Sequence, residues 1–182
     1  MPGATYPKGA DRVAFINRLL GRFREMPGVT GVTAMSGLPP NRPVNANDTD
    51  FVGYEPQQGE PAENVDYYQT VTLDYLKTMG IPVTKGRGFE AADIEGAPVM
   101  LVNETLEKTF FGFRKLEAVG QRVKIFTGGG PQGNGMTEFL IVGVVRDVKQ
   151  GGMSAKTGTE LYFLNEQAPR AVGFAQIGRA HV

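Results

Sequence analysis

Apolar residues recur along this chain in two periods, one near 3.6 and one of 2. From residue 11 onward, Ile16, Leu19, Leu20 and Phe23 fall at i, i+3, i+4 and i+7, with Arg12, Arg18, Arg22 and Glu25 mostly on the opposite side. This spacing predicts an amphipathic surface helix. Gly21 inside it costs about 1 kcal/mol against alanine, which core packing can absorb. Pro27 and Gly28 stop it. Residues 29–36 alternate loosely and read as a strand. Residues 38–48, with Pro39, Pro40 and Pro43 among asparagines, read as an exposed loop, because proline cannot donate to a ladder. Residues 50–54 form a short predicted strand and 55–63 a polar loop. Residues 65–73 form a longer strand, with Tyr67, Gln69 and Val71 on one face and Tyr68, Thr70 and Thr72 on the other.

Residues 71–89 pack the most signals into the least sequence. Thr72 is the expected cap of a short helix whose Leu73, Leu76 and Met79 share a face, and Gly80 ends it. Ile81 precedes Pro82 and is pushed toward extended geometry. Gly86 and Gly88 then bracket Arg87 at a corner where positive φ costs little. Residues 90–95 read as an acidic turn, and Asp93, six residues after Arg87, is placed to pair with it. Residues 99–102 are continuously apolar, as in a strand buried on both faces. Asn103 is the predicted cap of the next helix, with Glu104 in its first turn and Leu106 and Phe110 facing inward. Residues 120–126 and 137–148 read as strands joined by a glycine-rich connection, 127–135. The second is apolar on both faces and is therefore expected to run centrally. Strands and helices alternate without a strict βα repeat, which points to an α+β fold.

Composition narrows the choices. The chain has 182 residues, enough for one or two compact units, and its 19 acidic and 19 basic side chains cancel. No field favours nucleic acid or an anionic surface. Cysteine is absent, which excludes disulfides and thiolate metal sites. The longest uninterrupted apolar run, residues 139–145, is far short of the ~20 residues that span a bilayer. The first residues lack the basic start and apolar stretch of a signal peptide, so any targeting segment is expected outside this sequence. The last six residues, 177–182, coincide with the translation of a common sequencing adapter. On that reading the natural frame is interrupted there and His181, the sole histidine, is foreign.

No catalytic, cofactor or metal constellation emerges. Ser36 before Gly37 lacks a base and reads as a turn serine. Glu90, Asp93 and Glu95 lack a histidine partner and read as a solvated turn. Residues 128–135 resemble a phosphate loop only superficially, since they lead into a strand and lack the closing Gly-Lys-Ser/Thr. Lys156 and Thr157, preceded by alanine, fail the same test. Asn47-Asp48-Thr49 and Asn103-Glu104-Thr105 match the glycosylation pattern by chance.

Tyr75, Met79, Gly80, Gly86, Arg87, Phe89 and Asp93 together resemble the signature of the extracytoplasmic core domain of MacB/FtsX-like ABC transporter permeases, in particular an acidobacterial-type branch with duplicated permeases. Leu76 stands where that family usually carries Phe. The turn at Met26-Pro27-Gly28-Val29, the strand-to-helix junction at Asn103-Glu104, the 139–152 strand and the 161–169 segment resemble further parts of the same pattern, so the likeness covers about residues 11–169. Residues 1–10, with Pro2, Gly3, Pro7 and Gly9, read as an irregular start and 170–182 as a C-terminal segment, while the resemblance implies two small lobes between them, a porter-like βαβ lobe (11–118) and a strand-rich second lobe (119–169). It implies a non-catalytic domain on the periplasmic or extracytoplasmic side of the cell membrane that transmits ATP-driven motion. Its partners would be a second permease in a homodimer or pseudo-dimer, a cytoplasmic ABC ATPase and an extracytoplasmic adaptor, with residues 38–48 and 127–135 as contact tips. The structural motif would be Tyr75, Gly80, Gly86, Arg87, Phe89, Asp93 and Asn103. The alternative is a soluble extracytoplasmic ligand-binding or sensor module with an apolar pocket between the lobes.

Overall fold

The computed structural model of the protein describes residues 8–40, 42–44, 46–56, 58–126, 135–168 and 176–179. The glycine-rich connection 127–134, the first seven residues and His181 lie outside the described residues. Helix α1 (Gly9–Arg24) begins two residues before the apolar period does and buries Ile16 and Leu20. These pack on Val32 and Ala34 of β1 (Val32–Met35), which is shorter than the predicted 29–36 strand. The chain continues through β2 (Asn47–Asp48), β3 (Asp50–Phe51), β4 (Asn64–Val65) and β5 (Tyr67–Val71). Then come α2 (Tyr75–Met79), β6 (Val83–Gly86), a 3-10 turn (Ala91–Ile94) and β7 (Val99–Asn103). Helix α3 (Glu104–Leu106) runs on as a π turn (Glu107–Phe111) and a 3-10 turn (Gly112–Arg114) before β8 (Arg122–Phe126), β9 (Met136–Val145), β10 (Glu160–Leu164) and β11 (Gln176–Arg179).

Most of the strands join one mixed sheet in the order β11-β1-β5-β10-β7-β9-β8-β3, with β6 also on β9. β10 runs parallel to β5 and antiparallel to β7, and β7 runs parallel to β9. β9 is central, as its two apolar faces demand. One edge carries β7, while the other carries β8 along residues 136–140 and then β6 along 143–145. The strands of residues 119–169 are thus hydrogen-bonded into the same sheet as those of 11–118. This is a mixed α/β fold with few helices.

Both faces of the sheet are covered. On one, Leu106, Phe110 and Phe111 pack with Phe51, Met100, Val102, Phe139, Ile141 and Phe163. On the other, Tyr75 packs with Met35, Val71, Leu101, Val145 and Tyr162, and Leu76, Met79 and Phe89 close the rim. All five residues of β7 and of β10 are buried.

Three local expectations need correction. Asp74, not Thr72, sits at the start of α2 and makes no side-chain cap. The Thr72 hydroxyl is instead 2.9 Å from that of Thr33 and accepts from Ala34 N at 3.0 Å, because the strand-to-strand contact outcompetes a five-residue helix for it. The anchor of α2 is Tyr75, fully buried, while Leu73, Leu76 and Met79 are only partly covered. Gly86 has φ 65°, but Gly88 is not in the left-handed region, so only one glycine of the corner is required by its backbone.

Candidate functional site

The corner after β6 is built from backbone contact. Gly86 pairs with Gly143 of β9, and Arg87 N donates to Val142 O at 3.0 Å. From there the Arg87 guanidinium forks onto one carboxylate: Nη1 donates to Asp93 Oδ2 at 2.7 Å and Nη2 to Oδ1 at 2.8 Å. Nη1 also donates to Gly88 O at 2.9 Å. Asp93 Oδ2 accepts from Glu90 N at 2.8 Å, completing a capping box on the 3-10 turn. Asp93 is therefore buried rather than solvated as the acidic pattern suggests, and Arg87 with the Glu90 amide holds its carboxyl below the usual range. Gln167 fastens the turn to the sheet, donating to Asp93 O and to Ala97 O while accepting from Val99 N at 2.9 Å. Phe89 lies under the corner against the apolar cluster, and Gly80 closes α2 in the left-handed conformation.

Asn103 belongs to a second centre, a polar network inside the sheet. It is fully buried and all its hydrogen-bonding capacity is used. Oδ1 accepts from Leu106 N at 2.9 Å, capping α3, and from Glu160 N at 3.0 Å. Nδ2 donates to Asp147 Oδ1 and to Gly158 O, both at 2.8 Å. Asp147 also accepts from Thr105 N at 2.9 Å and from its hydroxyl at 2.7 Å. One amide thus joins β7, α3, β10 and the segment between β9 and β10. Its burial leaves no access for a glycan.

Glu160, which the sequence pattern does not single out, sits beside it with no exposed surface. Tyr162 OH donates to Oε2 at 2.5 Å and Gln150 Nε2 donates to the same oxygen at 2.7 Å. Burial pushes the Glu160 carboxyl up to about 7, against the pull of these bonds and of the Arg42 charge. Tyr75 leans on Tyr162 at a ring separation of 5.9 Å, and its hydroxyl is buried without a partner. The available signal was a lone acid opening an apolar strand two residues before a tyrosine on the same face.

The remaining candidates have ordinary roles. Ser36 Oγ accepts from Thr70 N at 3.0 Å and lies 3.4 Å from Gln69 Oε1, a turn arrangement with no base. Glu90 and Glu95 are exposed, and no group of three metal-ligating side chains occurs among the described residues. A cleft of about 420 Å³ is lined by Arg24, Asp74, Lys77, Thr78 and residues 29–32, a lining of mixed polarity. Among the described residues no helix is long and apolar enough to cross a membrane.

The sequence match decides the family. Residues 2–178 match the model of the MacB-like periplasmic core domain. The chain belongs to that family. The fold agrees at low identity. The periplasmic region of MacB from Actinobacillus actinomycetemcomitans aligns at TM-score 0.52 and 15% identity, over 85% of this chain and 55% of that one. The extracellular domain of the noncanonic ABC-type transporter YknZ from Gram-positive bacteria aligns at 0.57 and 15%, over 92% and 74%. A domain of a putative permease protein from Porphyromonas gingivalis aligns at 0.52 and 11%, over 86% and 64%. The MacB-like chain thus spans 55% of the MacB periplasmic region it matches. No curated protein matches it.

Proposed function

We propose that this MacB-like domain is the extracytoplasmic, non-catalytic part of an ABC transporter permease, carrying ATP-driven motion across the cell membrane as a mechanical element. The observation that carries the reading is the family match over residues 2–178. The interior supports it: central strands buried along their length, both faces covered, and a corner fixed by a forked ion pair transmit displacement with little internal give. A cytoplasmic ATPase supplies the energy, a second permease completes a homodimer or pseudo-dimer, and an extracytoplasmic adaptor receives the motion.

The test is made in the full-length protein. Its gene is expected to encode apolar segments of about 20 residues flanking this domain. Spin labels placed at the exposed Ala92 and Met153 are expected to change separation from those of the paired permease when ATP is added to the reconstituted complex. An unchanged distance in an active ATPase, or a gene without such segments, overturns the proposal.

A further inference from the structure

Glu160 is a fully buried carboxylate that makes no ion pair among the described residues. The titratable and charged groups that face it are Tyr162 on its own strand, Asp147 from the segment after β9, Arg42 from the loop after β1 and Tyr75 from α2. Asp66 of the β4–β5 bend holds the neighbouring Thr159 through its amide at 2.8 Å and its hydroxyl at 3.1 Å. Arg42 is the only cation of the set, and its hydrogen bonds go elsewhere. Nη2 donates to Tyr68 O at 2.6 Å, the guanidinium lies 5.3 Å over the Tyr67 ring, and Nη1 is buried without a partner.

The neighbours of Glu160 differ in how firmly they are held. Asn103 and Tyr162 stand on central strands and Tyr75 on a helix packed into the core. Arg42 and Gln150 stand on two irregular segments that hold each other: Arg42 N donates to Gln150 O at 2.9 Å, while the Gln150 side chain donates to Glu160. Lys149 Nζ closes the second segment on Ala155 O at 2.8 Å. Gln150 and Arg42 face the carboxylate from segments that belong to no strand, so detaching them leaves the sheet intact. An ionised carboxylate buried without a contacting cation is costly, and solvent exposure relieves that cost.

We propose that Glu160 is a proton-operated latch: protonated, it keeps residues 37–40, 42–44 and 148–157 packed on the sheet, and ionised, it releases them to water. This goes beyond the permease reading and does not depend on it. The carboxyl is raised in the packed state, to about 7 from an ordinary 4.5. Packing is therefore strongest below about 4.5 and is lost as pH rises through about 7.

Amide hydrogen exchange of the 182-residue chain between pH 4.5 and 8.5, corrected for intrinsic rates, tests this. The opening equilibrium of 37–40, 42–44 and 148–157 is expected to rise by about tenfold per pH unit up to about 7 and then level off. Residues 99–103 serve as an internal reference without that slope. In Glu160→Gln the slope is expected to vanish. A carboxyl ¹³C titration of the unsubstituted chain, expected to share the midpoint of the exchange, stands even if that variant does not fold. Opening independent of pH, a slope retained in E160Q, or a Glu160 carboxyl titrating at its ordinary value overturns the proposal.

Discussion

Gly86 and Gly143 face each other across β6 and β9 with no room for a Cβ on either. A Cβ at Gly86 would lie 2.3 Å from Val142 O, and one at Gly143 would lie 2.0 Å from Arg87 O. Both clashes are with backbone, so no side-chain rotation relieves them. The contact sets where the chain turns and hence where the Arg87 guanidinium is delivered.

Gly143→Ala is expected to cost about 3 kcal/mol or more, since a core strand has to move. Gly86→Ala adds strain at φ 65° to the same collision. At Gly88 a Cβ meets only Leu76 and Val83 side chains, at 3.5 and 3.6 Å, so Gly88→Ala is expected to stay within about 0.5 kcal/mol. Urea unfolding of the three variants checks this, and equal losses at 88 and 143 contradict it.

Replacing Arg87 with Met removes both prongs from Asp93. The guanidinium is partly exposed and screened, so the loss is expected to be about 1 kcal/mol near neutral pH. Arg87→Lys is not expected to restore it, because an ammonium cannot fork. The sign with pH is fixed by Asp93. Its carboxyl is lowered in the fold, so its stabilisation is present above the ordinary 3.8 and lost as pH falls below it. The acid limb of the melting-temperature profile is expected to be shallower in R87M.

Asn103→Ala leaves Asp147, Gly158 O and the Leu106 and Glu160 amides short of a partner in the interior. A loss of about 2–4 kcal/mol is expected in thermal or urea unfolding. Asn103→Asp exchanges a donor for a charge facing Asp147 and Glu160, and is expected to lose stability further as pH rises.

The two buried tyrosines behave differently although their rings lie 5.9 Å apart. Tyr75→Phe removes a buried hydroxyl with no partner and is expected to be neutral or stabilising. Tyr162→Phe removes a donor to Glu160 and is expected to cost about 1–2 kcal/mol and to raise the Glu160 carboxyl further. Melting temperatures of the pair decide it.

What the sequence determined by itself is local or periodic. The 3.6 spacing of Ile16, Leu20 and Phe23 fixed α1, and the apolar run at 99–102 fixed a strand buried on both faces. The two-sided β9 had to be central, and Asn103, at a strand's end with Glu104 and Leu106 behind it, had to cap a helix. Gly80 after Met79 ended α2. Each of these depends on neighbours a few positions apart, where chain geometry leaves few choices.

Tertiary structure alone decided the rest. Thr72 had two uses for its hydroxyl, and only the arrival of Thr33 from a distant strand chose between them. Gly86 and Gly88 look alike in sequence, but Gly143, more than fifty residues on, is what makes one indispensable and leaves the other free. Glu160 reads as one more surface acid until β5, β7, Gln150 and Arg42 close around it. Its charge is expensive only because water is excluded from all sides at once, and that exclusion is a property of the assembled sheet, not of any stretch of chain.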